Sequence, residues 1–295
     1  EVLATGPLAS VQDLGRLGYA DEGVGRSGAA DAPAHRLANR LVGNLPDQAT
    51  IELTMGGLRI RLGRAVTVAM TGARAPVTVR SEGGRGAVAL PWQAAITLRA
   101  GTVLRVGTPA SGVRSYLAVR GGIAVPAVLE SRSTDTLSGL GPPLLRPGTV
   151  LPVGDAVAAD PSDDQPLRRR SDQDPVATVG LLAGPRADWF VAGSLDVLAG
   201  AAWAVRPDSN RIGLRLAGPV LRRQNPAELA SEPTLPGAIQ VPPDGQPIVL
   251  GPDSPVTGGY PVIGVVRRAD LAVLAQLRPG DAVRFVVVDT AGYAI

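Results

Sequence analysis

A mainly β chain, folded as two β-rich domains with a few short helices, is the fold class this sequence predicts. Three observations lead there. Short apolar runs recur between turn residues. Glycine (37) and proline (27) are frequent enough to keep helices short. A polar, charged, Pro-containing stretch at 158–174 breaks the 295-residue chain near its middle. Hydrophobic residues make up 45% and aromatics only 3%, so the cores must be packed from Val, Leu, Ile and Ala. The boundaries implied are 1–160 for an N-terminal β-rich domain and 175–295 for a C-terminal one.

Residues 10–44 form a polar, Gly-rich run that ends in a helix. Asp31 is its expected N-cap, Pro33 fits the first turn and Gly43 stops it. Ala34, Leu37, Ala38 and Leu41 fall on one face at spacings of three and four. Short runs at 58–62, 66–70, 77–80, 87–90, 95–98, 103–106 and 116–119 read as strands, many of them separated by Gly or Pro. A second helix is expected at about 270–277, with Leu271, Leu274 and Ala275 on its apolar face and Pro279-Gly280 ending it. A third is expected near 187–198. Gly-Asp-Ala-Val occurs at 154–157 and again at 280–283, a weak sign that both halves close on a strand after a tight turn.

Composition excludes several chemistries. Without cysteine there are no disulfides, thiolate nucleophiles or Cys-ligated metals. One histidine, His35, rules out a His-rich metal site, so no metal site is expected, and it leaves a Ser-His-Asp triad a single possible base. Every basic side chain is arginine, so neither a P-loop lysine nor a Schiff-base lysine exists; an anionic group must be held by arginine, backbone N–H groups or a partner. The net charge of +3 is small, and basic residues do not cluster with aromatics, so no nucleic-acid partner is expected. Arg168–Arg170 reads as a solvated run in the linker. No apolar run is long enough to span a bilayer and the start lacks a signal-peptide pattern, so no membrane association and a cytoplasmic location are expected.

The motifs leave alternatives open. Gly23, Gly25 and Gly28 spell G-x-G-x-x-G, but what precedes them is polar and turn-like, without a βαβ rhythm. A loop whose glycines allow close backbone approach is the better reading. Arg16 and Arg26 either clamp a carboxylate or phosphate, oriented by Gln12 and Ser27, or pair with Asp13 and Asp31 and pin the loop. His35, near the polar side of its helix, suits a structural or surface role better than acid–base work, and Asn39 reads as a brace. The Ser-Arg-Ser-Thr run at 131–134 can hold an oxyanion or form ordinary hydroxyl turns. Tyr260 stands after Gly258-Gly259, where the backbone can approach a ligand or form a tight turn.

Together and in this order, these motifs resemble the KipA / allophanate hydrolase subunit 2 / 5-oxoprolinase C-subunit family, also described as biotin-dependent carboxyltransferase-like. The matching residues in the first half are Val11 to Arg16, Ser27-Gly28 with Asp31, Ala38-Asn39 with Leu41 to Asn44, Glu52, Thr71 to Ala73, Tyr116 to Val119 with Gly121-Gly122, and Ser131 to Thr134. In the second half they are Gly184-Pro185, Arg211 with Gly213, Ser231, Gly237 to Pro242 and Thr257 to Pro261. The match covers nearly the whole chain.

The resemblance implies cyclophilin-like barrel architecture and a hetero-oligomer. Its partner would be a KipI-type protein, the B component of 5-oxoprolinase, joined in the 5-oxoprolinase case by a LamB/YcsF-type A component. The implied reaction is ATP-dependent opening of 5-oxoproline to glutamate, with ATP, and Mg alongside it, bound by the complex. Phosphorylating the lactam oxygen creates a leaving group that water can displace. The same resemblance implies two alternatives. One is a KipA-like antagonist that binds a KipI-like sensor-kinase inhibitor; the other is a carboxyltransferase component of an allophanate hydrolase/urea carboxylase-type system. With no lysine, biotin cannot be attached to this chain. The substrate-binding candidates are Gln12, Asp13, Arg16, Arg26, Ser27, Asp31, Arg132, Ser133, Thr134, Arg211, Gln240, Asp253, Thr257 and Tyr260; no catalytic residue is assigned. The chain departs from the family at Ser254-Pro255-Val256, where an Arg-Gln-Thr or His-Pro-Thr type run is frequent. It also departs at 138–148, where Gly-Pro-Pro replaces a Gly-Gly-Arg type run.

Overall fold

The computed structural model describes residues 1–81, 86–162, 176–225 and 227–289. They fall into two compact units. Residues 1–16, 27–135 and 139–162 make the first; 17–26, 136–138 and the described residues from 176 onward make the second.

The first unit contains β1 (Val2–Thr5), β2 (Leu8–Gln12), α1 (Ala32–Leu41), β3 (Thr50–Thr54), β4 (Leu58–Arg61), β5 (Val66–Gly72), β6 (Val77–Arg80), β7 (Val88–Ala89), β8 (Ile96–Leu98), β9 (Val103–Val106) and β10 (Arg114–Val119). They form two antiparallel five-stranded sheets, β1-β4-β9-β6-β7 and β2-β3-β10-β5-β8. The period-two rule of strands sorts the side chains. In β4, Leu58 and Ile60 are buried while Arg59 and Arg61 are exposed. Leu58, Ile60, Val77 and Leu104 from the first sheet share one core with Val11, Ile51, Val68, Met70, Leu117 and Val119 from the second. The second sheet is covered on its other face as well: Leu37, Ala38, Leu41 and Val42, in and just after α1, pack on Ala69, Tyr116 and Ala118. All six residues of β10 are therefore buried. The Asp31 carboxylate caps α1 by accepting from the Ala34 N–H at 3.0 Å.

The second unit contains β11 (Val176–Ala183), α2 (Ser194–Gly200), β12 (Ala202–Val205), β13 (Gly213–Ala217), β14 (Glu232–Pro233), β15 (Ala238–Gln240), β16 (Ile248–Leu250), β17 (Thr257–Gly258), β18 (Val262–Val266), α3 (Leu271–Leu274) and β19 (Ala282–Val287). Seven strands close a barrel in the order β11-β18-β15-β16-β13-β12-β19. The closing pair β11–β19 is parallel. Trp203, Phe285, Leu181, Ile239 and Ile263 fill its core. β14 and β17 form a separate two-stranded ribbon. Among the described residues no helix is long and apolar enough to cross a membrane.

The fold is mainly β with few helices, as the sequence implies, but several expected elements change. The strand at 87–90 shrinks to the two exposed residues of β7, at a sheet edge. The helix at 270–277 becomes a 3₁₀ turn (Arg268–Asp270) and the single turn α3. Its expected acidic start is used elsewhere: Asp270 accepts from the Gly180 N–H at 2.8 Å and from Arg267 Nε at 3.0 Å. The helix at 187–198 is split into a 3₁₀ turn (Ala187–Trp189) and α2, which the left-handed Gly193 (φ 81°) precedes. Of the two Gly-Asp-Ala-Val copies, only 280–283 leads into a strand. At the other copy, Val153 makes a lone bridge to Ile123. The stretch at 158–174 does not begin as a free linker. Ala158 and Ala159 N–H groups donate to Gly43 O and Ser162 N–H to Leu41 O, completing the C-terminal end of α1. The rest of it, including Arg168–Arg170, lies outside the described residues.

Candidate functional site

In the first unit the polar residues gather where β2 ends. Asp13 accepts four hydrogen bonds: Gly15 N–H at 2.8 Å, Ser131 Oγ at 2.7 Å and Ser133 Oγ at 2.5 Å on Oδ1, and Arg132 N–H at 2.5 Å on Oδ2. Arg16 is buried and donates to two carbonyls of the same loop, Val128 O at 3.2 Å and Ser133 O at 2.6 Å. Gln12 Nε2 reaches Thr134 O at 2.9 Å and Ser10 Oγ at 3.0 Å; Ser27 Oγ reaches Thr134 O at 3.1 Å. Arg132 points its Nε at Val125 O, 2.7 Å away. The hydroxyls of Ser131 and Ser133, which the sequence offered as oxyanion donors, therefore spend their hydrogens on Asp13.

These contacts hold a strained segment. Val128 and Ser131 bridge each other through Leu129 (φ 50°) and Glu130 (φ 61°). Two consecutive left-handed residues are what a type I′ turn demands and what Asn-Gly supplies cheaply. Leu-Glu carries no such signal, so sequence reasoning missed this turn. Ser27 is also left-handed (φ 55°). Strain of this kind survives only where the surroundings over-determine it, and it concentrates at functional sites. Glycine is required at two adjoining points. A Cβ on Gly28 would come within 2.8 Å of the Gly15 nitrogen, and one on Gly141 within 2.0 Å of Ser133 O.

Behind the loop lies a buried polar chain. Asp31 N–H donates to the Tyr116 hydroxyl at 2.8 Å, which donates to Glu52 Oε2 at 2.7 Å; Ala30 N–H reaches the same oxygen at 3.0 Å. Arg114 Nε stands 3.6 Å from Glu52 Oε1. Burial, reinforced by the charges of Glu52 and Asp31, pushes the Tyr116 phenol well above its ordinary pKa, so it remains a donor.

His35 is fully buried rather than on a polar face. Its Nε2 lies 3.3 Å from the Asn39 amide nitrogen, which also donates to Gln48 O at 2.7 Å; its Nδ1 lies 2.9 Å from Thr50 Oγ1. Asn39 Oδ1 accepts from Asn44, so the Asn39 nitrogen is the donor and the histidine carries its proton on Nδ1. Burial lowers its pKa to about 4, against the raising influence of Asp13, Glu52 and a hydrogen bond to the Pro46 backbone. Neutral His35 braces α1 against Thr50 and Asn39. Because the unfolded chain takes up this proton near pH 6.5 and the folded chain only near 4, stability is complete above 6.5 and falls between 6.5 and 4, by about 3 kcal/mol. Urea unfolding across that range should show the loss in the parent protein and a flatter profile in His35→Gln.

In the second unit Arg211 and Asp253 form a buried bidentate pair, Nε–Oδ2 and Nη2–Oδ1 both 2.8 Å. Thr136 adds its N–H at 3.0 Å and its hydroxyl at 2.7 Å to Asp253 Oδ2. These two candidates are thus committed to each other. Arg26 also belongs to this unit and is half-buried. Gln240 Nε2 donates to Tyr260 O at 3.2 Å and fixes the 257–260 loop, whose Thr257 is exposed. The Tyr260 side chain is 44% exposed, with the Arg223 guanidinium 5.9 Å from its ring centroid. Arg223 also donates to Val241 O. Tyr260, Arg222, Arg223, Glu228, Leu229 and Pro243 help line a cleft of about 760 Å³. Sequence reasoning missed Arg222 and Arg223; the adjacent pair was their only signal.

The glycine run offers no nucleotide cradle. The α1 N-terminus is filled by Asp31, Gly28 packs on the Leu14–Gly15 backbone, and Gly23 N–H closes a turn onto Ala20 O at 3.1 Å. The residues present do not fit ATP at this point.

The chain belongs to the family of the carboxyltransferase domain, subdomain A and B, which matches residues 22–287. It is similar to the C subunit of 5-oxoprolinase from Escherichia coli, with 37% identity over 97% of this chain and 90% of that protein. It is also similar to urea amidolyase of Saccharomyces cerevisiae, with 33% identity over 97% of this chain but only 16% of that protein. Among solved structures, the K. lactis urea amidolyase superposes with a TM-score of 0.90 at 30% identity, covering 98% of this chain and 18% of that one.

Proposed function

We propose that this chain is one member of an ATP-dependent 5-oxoprolinase complex that opens the 5-oxoproline lactam to glutamate. Its partners in this reading are a KipI-type protein, the B component of 5-oxoprolinase, and a LamB/YcsF-type A component, in the cytoplasm. The observation that carries the reading is the alignment with the C subunit of a 5-oxoprolinase over nearly the full length of both proteins. In the lysine-free cleft beside Tyr260, Arg222 and Arg223 would meet the substrate carboxylate as guanidinium forks, and the Tyr260 ring would cover the lactam. The clasp around Asp13 would hold the loop at 128–134 in its strained shape. In this reading ATP and its Mg are bound by the complex, and the glycine-rich turn of this chain is not their site.

ATP turnover by the three-protein assembly should rise when 5-oxoproline is added; no stimulation overturns the reading. Tyr260→Ala should lower stimulated turnover about 10-fold or more while the assembly persists, and Tyr260→Phe separates ring from hydroxyl. A carboxyltransferase role in a urea-processing assembly is the second reading, favoured by the TM-score of 0.90 to urea amidolyase. Stimulation by urea with a biotin-carrying carboxylase, and not by 5-oxoproline, would select it.

A further inference from the structure

The only charged side chains that the strands of the sheet β1-β4-β9-β6-β7 turn to its outer face are arginines. Arg59 and Arg61 on β4, Arg105 on β9 and Arg80 on β6 are all exposed. The register sets Arg59 directly opposite Arg105, and places Arg61 and Arg80 on either side of Val103. Strands lie about 4.8 Å apart and same-face residues about 7 Å apart along a strand, so the four stems rise from a patch about 10 Å across. The five strands contain no Asp or Glu. Glu1 pairs with Arg61 at 2.9 Å, on the margin. The positions in register beside the arginines are small: Ala4 next to Arg59, Thr78 next to Arg105, then Ala89.

Like charges placed directly opposite destabilise a sheet, and a face serving solvent alone is better built with both signs interspersed. The other sheet shows the contrast, since its outer face is covered by α1. Small neighbours leave room beside the guanidinium forks of Arg59 and Arg105 for bidentate pairing with carboxylates. No aromatic side chain in the five strands offers a base a surface to stack on.

We propose that this arginine face docks an acid-rich surface of another protein chain, and that this other chain is the KipI-type partner; the identity of the partner rests on the function proposed above. Calorimetric titration of the full-length chain with that partner, at low and at near-physiological ionic strength, tests it. Arg59→Glu/Arg105→Glu should weaken the complex about 10-fold or more and flatten its salt dependence, with an unchanged or slightly raised melting temperature. Arg36→Glu/Arg40→Glu, equal in charge and placed on α1 over the other sheet, should leave the affinity close to the parent's. Unchanged affinity in the first variant overturns the inference alone, as does equal weakening in the second, which would make net charge the cause. Failure of the parent chain to bind this partner overturns the proposed function as well. Binding of duplex DNA that the first variant abolishes while partner affinity stays intact would reassign the face to nucleic acid and overturn the inference.

Discussion

Asp13→Asn should destabilise the first unit by about 3 kcal/mol, seen as a fall in melting temperature of roughly 6–12 °C. The reason is geometric. The carboxylate accepts backbone N–H groups on both oxygens, Gly15 on one and Arg132 on the other. An asparagine can offer an oxygen to only one of them, and its NH₂ must then face the other donor. The serine hydroxyls can rotate away, so Ser131→Ala and Ser133→Ala should each cost only about 1 kcal/mol. The clasp also restrains Leu129 and Glu130, so replacing that pair by Asn-Gly should restore part of the stability lost in Asp13→Asn. A chemical-denaturation series over the parent and these variants checks this. Equal stability of Asp13→Asn and the parent would remove Asp13 from its structural role.

Asp253→Asn should cost the second unit about 3–5 kcal/mol, because it leaves the Arg211 charge buried without its counter-ion. Arg211→Met should cost somewhat less, since Thr136 still donates twice to the carboxylate. The double variant Arg211→Met/Asp253→Leu should cost less than the sum of the two single losses. The pH dependence follows from the direction of the shift. Burial by itself would raise the Asp253 pKa, but the Arg211 charge and the Thr136 donors outweigh it and hold it below the ordinary value of 3.8. The pair's contribution is therefore complete above that value and is lost as pH falls through the lower folded pKa. Its window lies below that of His35. Acid unfolding should show two separable steps, the upper one removed by His35→Gln and the lower one by Asp253→Asn.

The local elements were legible because their causes are local. The cap of α1, its Pro33 and its Gly43 stop lie within about a dozen residues of one another, and the buried face Ala34, Leu37, Ala38 and Leu41 is as the spacing predicts. The strands β6 and β9 follow their apolar runs residue for residue. The two helices without such agreement came out shortened or split: the Asp270 carboxylate accepts from Gly180, 90 residues away, and makes no cap hydrogen bond to α3.

The candidate site was legible as a set of residues but not as an arrangement. The notable polar groups of the run at 10–44 were visible at once, yet the loop partners of Asp13 lie 118 to 120 residues further along. No spacing rule reaches that far, so whether Ser131 and Ser133 serve a ligand or a carboxylate could not be read. His35 was placed on the wrong side of its helix because the helical period knows only one covering surface. Residues on α1 meet both the sheet below and the 44–50 segment beside them, and Thr50 and Gln48 arrive there only through the fold.

By itself, then, the sequence determined the β-rich class, the α1 boundaries, the absence of thiol and lysine chemistry, and the membership that its ordered motifs announce. Tertiary structure decided which polar groups satisfy each other and which remain turned outward. Asp13, Arg211 and Asp253 are consumed by buried pairing, whereas Tyr260, Arg222 and the arginines of β4, β6 and β9 face solvent. The physical reason is that hydrogen-bond satisfaction is settled between residues distant in sequence, while helix caps and strand alternation are settled between neighbours.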